Sequence, residues 1–319
     1  MSPHLFRHSL RQLPRNLPNT RAHFFSTKRI PIPFETPLQP SLHITETCPP
    51  SCACSLESLP EDLDIDRVTP LKGTMANYYR HLLVCTGRSD WASKIELDVA
   101  EPGGGLAGKI KELTAVRGGG GKRKDLRDPF APTLVTNSSF EREVGVQEGG
   151  GVASAYVFPS GVYLPRIPVE DESVVELVRR FLLPPAGEED VECTLESRKV
   201  VETIVLICSH NSRDTRCGST AGPLKRQFEK ELAEKGILLE GHEGEKGRIG
   251  KVRVGFTSHL SGHKFAGNVV VYRPDGLGVW YGRVEPKYVT GILEETVSNG
   301  RIVGELCRGV VENSGRVDV

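Results

Sequence analysis

No stretch of this chain stays apolar over the roughly 20 residues that a bilayer span requires, so it is not read as an integral membrane protein. Net charge is missing as well. The 41 Lys and Arg balance 41 Asp and Glu, and no global field points to nucleic acid or an anionic membrane as a partner. Cysteine is sparse for the length: the eight at positions 48, 52, 54, 85, 193, 208, 217 and 307 of 319 residues do not make a small disulfide scaffold. Metal binding or thiol redox chemistry is the better expectation. Three further absences narrow the chemistry. The glycine runs lack a following Gly-Lys-Ser/Thr and a leading strand, which leaves little for a phosphate loop. No Cys-x-x-Cys opens a helix, so a thiol-disulfide oxidoreductase lacks its usual signature. No motif presents the carboxylate pair that sugar hydrolysis needs.

Acid is absent from the first 34 residues, which carry six Arg or Lys (Arg7, Arg11, Arg15, Arg21, Lys28 and Arg29). Leu5, Phe6, Leu10, Leu13 and Leu17 recur among the arginines at helix-like intervals, the composition of a mitochondrial transit peptide. Residues 1–34 are therefore expected to be a disordered leader, cut near Arg21-Ala-His-Phe-Phe-Ser. The expected location is mitochondrial, in the matrix.

The remaining length suits an α/β fold in two domains. HLLVC (81–85) and TLVTNS (133–138) read as buried strands, ASAYVFPSGVYLP (153–165) as a hairpin and SVVELVRRFL (173–182) as a helix. An N-terminal domain is expected over 41–183, with a flexible Gly-rich insertion at 101–124, followed by a linker at 184–199. A C-terminal domain over 200–319 shows strand (200–210), helix (222–236), strand (251–260), hairpin (268–284) and helix (285–300). That order suits a thioredoxin-like unit. The N-terminal domain reads as a degenerate copy of it.

Two short runs carry candidate ligands. CSHNSRDTRC places Cys208 and Cys217 just after the first strand of the C-terminal domain, and HLSGH places His259 and His263 just after the second. Loops beyond strand ends are where sites gather in α/β sheets. Thiolate and imidazole together suit zinc or an iron–sulfur cluster. A structural zinc knuckle usually separates its cysteines by two to four residues, whereas eight intervene here; a larger object such as a two-iron cluster fits that loop. His210 reads as a loop hydrogen-bonding residue. Arg213 and Arg216 either place positive charge near the site or pair with Asp214. Trp280 and Tyr281 read as hairpin packing, and Cys85 and Cys307 as core. Cys48, Cys52 and Cys54 form a separate thiol group that is structural or redox-active.

The Cys208–Cys217 run, His259-Leu-Ser-Gly-His263-Lys-Phe-Ala-Gly-Asn268 and Gly278-Val-Trp-Tyr-Gly-Arg283-Val together resemble the sucrase/ferredoxin-like family, and more broadly the thioredoxin-like 2Fe-2S ferredoxins. Those ferredoxins have a second cysteine pair where this chain has histidines, so the resemblance is to the bis-histidinyl branch. It covers the C-terminal half well. In the N-terminal half it rests on HLLVCTGRSDWASKIE (81–96) and TLVTNSS (133–139). The resemblance implies a 2Fe-2S cluster held by Cys208, Cys217, His259 and His263, with both sulfurs on one iron and both imidazoles on the other. It also implies a potential above that of an all-cysteine ferredoxin, falling as pH rises. A non-enzymatic electron carrier or redox sensor in mitochondrial redox quality control is the leading expectation. Its partners would be an unidentified redox protein and the mitochondrial iron–sulfur assembly machinery. A thiol-disulfide oxidoreductase and a structural zinc protein are the alternatives.

Overall fold

The computed structural model describes residues 42–48, 57–60, 62–98, 100, 105–114, 123–143, 145, 151–185, 193–241, 244–312 and 315–317. The expected leader at 1–34, together with Cys52 and Cys54, lies outside them. In chain order the strands are β1 (Ile44–Thr45), β2 (Arg80–Cys85), β3 (Thr133–Ser138), β4 (Val152–Phe158), β5 (Val162–Pro168), β6 (Arg198–Lys199), β7 (Thr203–Cys208), β8 (Val252–Thr257), β9 (Val269–Tyr272), β10 (Gly278–Tyr281), β11 (Ile302–Val303), β12 (Cys307–Glu312) and β13 (Gly315–Val317). The helices are α1 (Gly105–Thr114), α2 (Asp171–Leu177), α3 (Thr215–Glu234), α4 (Glu245–Arg248) and α5 (Val289–Ile292). Among the described residues, no helix is long and apolar enough to cross a membrane.

Eleven strands make one mixed sheet in the order β13-β12-β10-β9-β7-β8-β3-β2-β4-β5-β6, while β1 and β11 pair separately. The order reads as the same unit used twice. β2 runs parallel to β3 and antiparallel to β4, which pairs with β5; β7 runs parallel to β8 and antiparallel to β9, which pairs with β10. A helix joins the parallel strands in each half, α1 in the first and α3 in the second. The fold class is therefore α/β with two thioredoxin-like halves. Register agrees with the repetition: Cys85 lies opposite Ser138, and Cys208 opposite Thr257. Ser138 and Thr257 then pair with each other where β3 meets β8 antiparallel. The C-terminal ends of the central strands of both halves consequently meet at one place.

β7 is buried along its whole length, and alternation divides its side chains between two cores. Val205 and Ile207 pack with Leu224, Phe228 and Leu232 of α3. Ile204, Leu206 and Cys208 point the other way, into a cluster with Cys217, Leu260, Tyr272 and Trp280. Full burial of each large apolar side chain contributes about 1.5–3 kcal/mol, so the strand that carries Cys208 is held from both faces.

Two expectations are corrected. The Gly-rich stretch 101–124 is not simply flexible, because Gly105–Thr114 is helical. Leu106, Ala107, Ile110 and Leu113 fall at three- and four-residue intervals and are buried, which outweighs the glycines flanking them. The second correction concerns α3, which starts at Thr215 rather than near 222 and runs through Pro223. Asp214 caps it, its carboxylate accepting the Arg216 N–H at 3.1 Å, and Cys217 thereby falls in the first helical turn.

Candidate metal centre

Cys208 is the last residue of β7 and Cys217 sits in the first turn of α3; each is 1% exposed. Strand end and helix start are joined by a tight loop, in which the N–H groups of Arg213 and Asp214 donate to the His210 carbonyl. Gly218 is needed for that tightness, since a Cβ there would lie 2.2 Å from Asn211 Oδ1. Both side chains lie in one buried cluster. Cys217 first, then the His259 ring and the backbone of Leu260 and His210, draw the Cys208 thiol well below its ordinary pKa against the opposing effect of burial. Cys217 is pushed up by Cys208 beside it and by burial.

His259 follows β8, and His263 opens a 3-10 turn over His263–Phe265. Ser261 and Gly262 between them both have left-handed backbone, with φ of 61° and 65°. This reversal sets the two imidazoles side by side, with ring centroids 5.4 Å apart. His259 is half-buried, whereas the His263 side chain is 46% exposed. His263 Nε2 faces Asp214 Oδ2 at 3.8 Å, so the residue that caps α3 also confronts one imidazole. Asp214 is held below the usual carboxylate range chiefly by its hydrogen bond from Arg216.

The surroundings bind these pieces to the rest of the protein. Asn268 O accepts the Cys208 N–H at 3.0 Å, and Asn268 Nδ2 donates to Gly262 O at 3.1 Å. His210 is buried; its Nδ1 accepts the His259 N–H at 3.1 Å, and its Nε2 donates to Ala92 O at 3.0 Å. The N-terminal half supplies three more contacts to the cysteine loop. Ser209 Oγ donates to Ser89 O at 2.6 Å, Ser212 Oγ to Asp90 Oδ2 at 2.7 Å, and Arg213 Nη1 to Ser93 O at 2.9 Å. HLLVCTGRSDWASKIE, which brings no ligand set of its own, is thus the clamp on the cysteine loop.

Other candidates fall elsewhere. Arg216 pairs with Asp214 through Nε and Nη2, both at 2.9 Å, and Arg213 spends its bond on Ser93. Trp280 and Tyr281 are buried hairpin residues, bonded to Tyr78 and Thr296 respectively. Burial raises Cys85 to about 12 and Cys307 to about 11. Cys48 is also buried, with a pKa of about 12, and its Sγ meets Tyr288 O at 3.4 Å. Sequence reasoning gave no role to Asn268 and missed Arg308. The only signal for Arg308 was a basic residue set inside the buried run of the strand Cys307–Glu312, whose other charge, Glu312, stands at its end.

Among the described residues, no three or more His, Cys, Asp or Glu side chains form a set able to hold one metal ion. The donors are instead two cysteines in one buried cluster and two imidazoles side by side. Soft sulfur paired with borderline nitrogen suits iron in a two-iron cluster, which takes its ligands in pairs. The residues therefore fit the group.

Two thioredoxin-like halves in one sheet, with a cysteine–histidine set at the strand ends of the second, define a ferredoxin-like α/β protein. The sucrase/ferredoxin-like family matches residues 71–309, and the chain belongs to that family. Among its relatives is the altered inheritance of mitochondria protein 32 of Debaryomyces hansenii, 30% identical over 295 residues, covering 83% of this chain and 96% of that one. The actin patches distal protein 1 of Saccharomyces cerevisiae is 38% identical over 132 residues, covering 39% of this chain and 40% of its own. The thioredoxin-like [2Fe-2S] ferredoxin from Aquifex aeolicus superposes with a TM-score of 0.23 at 26% identity, covering 33% of this chain and 95% of that one.

Proposed function

We propose that this chain is a mitochondrial 2Fe-2S protein that carries electrons or senses redox state, with Cys208 and Cys217 on one iron and His259 and His263 on the other. The observation that carries the reading is the pairing of donors: Cys208 and Cys217 share one buried cluster, and the His259 and His263 rings stand side by side with centroids 5.4 Å apart. Such a cluster, when bound, stores one electron. The protein's own part is to bury the cysteine end, where both cysteines are 1% exposed, and to bring the histidine end to solvent at His263. That asymmetry puts the exchange of electrons, and of the imidazole N–H proton, on the histidine face. The mitochondrial placement is supported by the name of the relatives and by the basic, acid-free first 34 residues. Loading by the mitochondrial iron–sulfur assembly machinery follows from it, in the matrix.

Purified protein is expected to be coloured, with iron and sulfide near two each per chain. Colourless protein holding about one zinc would contradict the reading. The shared burial of Cys208 and Cys217 in one cluster favours one second reading, a dithiol that cycles with a disulfide. Both sulfurs are buried, which hinders attack by an external thiol. Retained insulin reduction after His259→Ala and His263→Ala, without iron, would favour that reading instead.

A further inference from the structure

Arg308 on β12 is completely buried, and all its N–H donors have acceptors. Nε reaches Thr74 Oγ1 at 3.1 Å; Nη1 reaches Asn268 Oδ1 at 2.7 Å and Ser261 O at 3.2 Å; Nη2 reaches Thr74 O at 2.7 Å and Ser261 Oγ at 3.5 Å. Every one of these acceptors is neutral. The guanidinium also lies over the rings of Phe265 and Trp280, 5.6 and 6.0 Å from their centroids. Its hydrogen-bonding capacity is filled while its charge is not neutralised.

Burial draws the Arg308 pKa down to about 10, so it is a cation at neutral pH. Removing such a charge from water costs several kcal/mol unless something negative compensates it. Among the described residues Arg308 forms no ion pair with a carboxylate. Hydrogen bonds tie it to the site instead: the side chain of Asn268 takes Nη1 while its carbonyl accepts the Cys208 N–H, and Ser261, which accepts the other Nη1 bond, lies between His259 and His263.

We propose that Arg308 is the internal counter-charge of the cysteine end of the site and raises the reduction potential of the cluster held there. The inference rests on the cluster reading above. One electron delivered by an external one-electron reductant adds one negative charge to the site, and no bond is made or broken. A fixed cation in a low-dielectric interior stabilises the reduced form more than the oxidised one. Arg308 also positions the site, because Asn268 and Ser261 tie it to the Cys208 backbone and the histidine loop. Substitution separates the two roles: Arg308→Lys keeps the charge and loses the fork, while Arg308→Gln keeps a hydrogen-bond donor and loses the charge. Arg308→Met loses both.

The test is a dithionite titration of the full chain followed by electron paramagnetic resonance, with iron content and the melting of iron-free protein measured alongside. At one ambient potential the reduced-to-oxidised ratio is expected to fall at least tenfold in Arg308→Gln and Arg308→Met, a shift of about 59 mV for a one-electron couple. In Arg308→Lys it stays within about threefold of the parent, the criterion for retained charge. Iron-loaded Arg308→Gln with an unchanged ratio overturns the proposal, as does a Lys variant that falls as far as Gln. If Gln and Met lose iron while Lys keeps it at the parent potential, the charge is required and the proposal stands. Equal loss of iron in all three variants shows that shape rather than charge matters and overturns it. A parent chain without iron and sulfide is a different result, and it defeats the cluster reading itself.

Discussion

The backbone N–H of His259 donates to Nδ1 of His210 at 3.1 Å, and Nε2 of His210 donates in turn to Ala92 O at 3.0 Å and Trp91 O at 3.2 Å. One imidazole thereby joins the cysteine loop, the histidine loop and the N-terminal half. Its tautomer follows from these partners: an Nδ1 that accepts leaves the proton on Nε2. His210→Ala leaves one N–H and two carbonyls without this partner. The expected loss is about 1–3 kcal/mol of unfolding free energy, measured by urea denaturation; a loss under about 0.5 kcal/mol would show that the bridge does not hold the loops.

Trp91 supports the same bridge from below. It is 3% exposed, its Nε1–H donates to Thr86 Oγ1 at 2.8 Å, and its ring meets the His210 ring edge-on at 6.0 Å. Trp91→Ala is expected to cost about 3–5 kcal/mol. Trp91→Phe should recover most of that in the same melt, because it keeps the ring and gives up one hydrogen bond. Equal losses in the two variants would mean that the Thr86 bond, not the packing, is what matters.

Gly267 lies between the histidine loop and Asn268 with φ of +83°. A Cβ there would stand 2.3 Å from Val284 O and 2.9 Å from Val284 N, and both are backbone atoms with little room to move. Gly267→Ala combines a left-handed penalty of about 1–2 kcal/mol with overpacking of about 1–3 kcal/mol. Chemical denaturation is expected to show roughly that combined loss. Stability unchanged within about 0.5 kcal/mol would place the Val284 backbone elsewhere.

His81 gives the fold an acid sensitivity of its own. It is completely buried, with Nδ1 at 2.8 Å from Tyr272 Oη and Nε2 at 2.7 Å from Thr136 Oγ1. Burial lowers its pKa from the ordinary 6.5 to about 3, so the folded state holds the neutral ring while the unfolded chain protonates first. Its contribution is therefore complete above pH 6.5 and is lost as pH falls toward 3, by up to about 1.4 kcal/mol per pH unit. His81→Gln is expected to flatten the stability profile across that window. An unchanged slope in the variant would assign the acid sensitivity to other groups.

What could be read from the sequence was whatever local pattern dictates. Apolar runs closed by turn residues gave β2 and β3 nearly to the residue and β7 and β8 with ends up to three residues too long, and Pro-Asp-Gly marked the β9–β10 turn. The start of α3 was hidden because Gly218, Gly222 and Pro223 look like breakers, whereas the Asp214 cap and the buried face of Leu224, Phe228 and Leu232 override them. In α1 the flanking glycines concealed a four-residue apolar face. The candidate ligands could be picked out from residue type and spacing. Their surroundings could not, since His210 reaches Ala92 and Arg308 reaches Thr74 across 118 and 234 positions of chain, and no local pattern encodes such pairings.

The central claim is that two sulfurs and two imidazoles of this chain hold one two-iron cluster. Electron paramagnetic resonance of the dithionite-reduced protein tests it most directly, run beside a variant carrying both His259→Cys and His263→Cys. The parent is expected to give a reduced 2Fe-2S signal with nitrogen couplings from two imidazoles, and the variant the same type of signal without those couplings and at a lower potential. A parent spectrum without nitrogen coupling, or with no iron signal at all, would contradict the account.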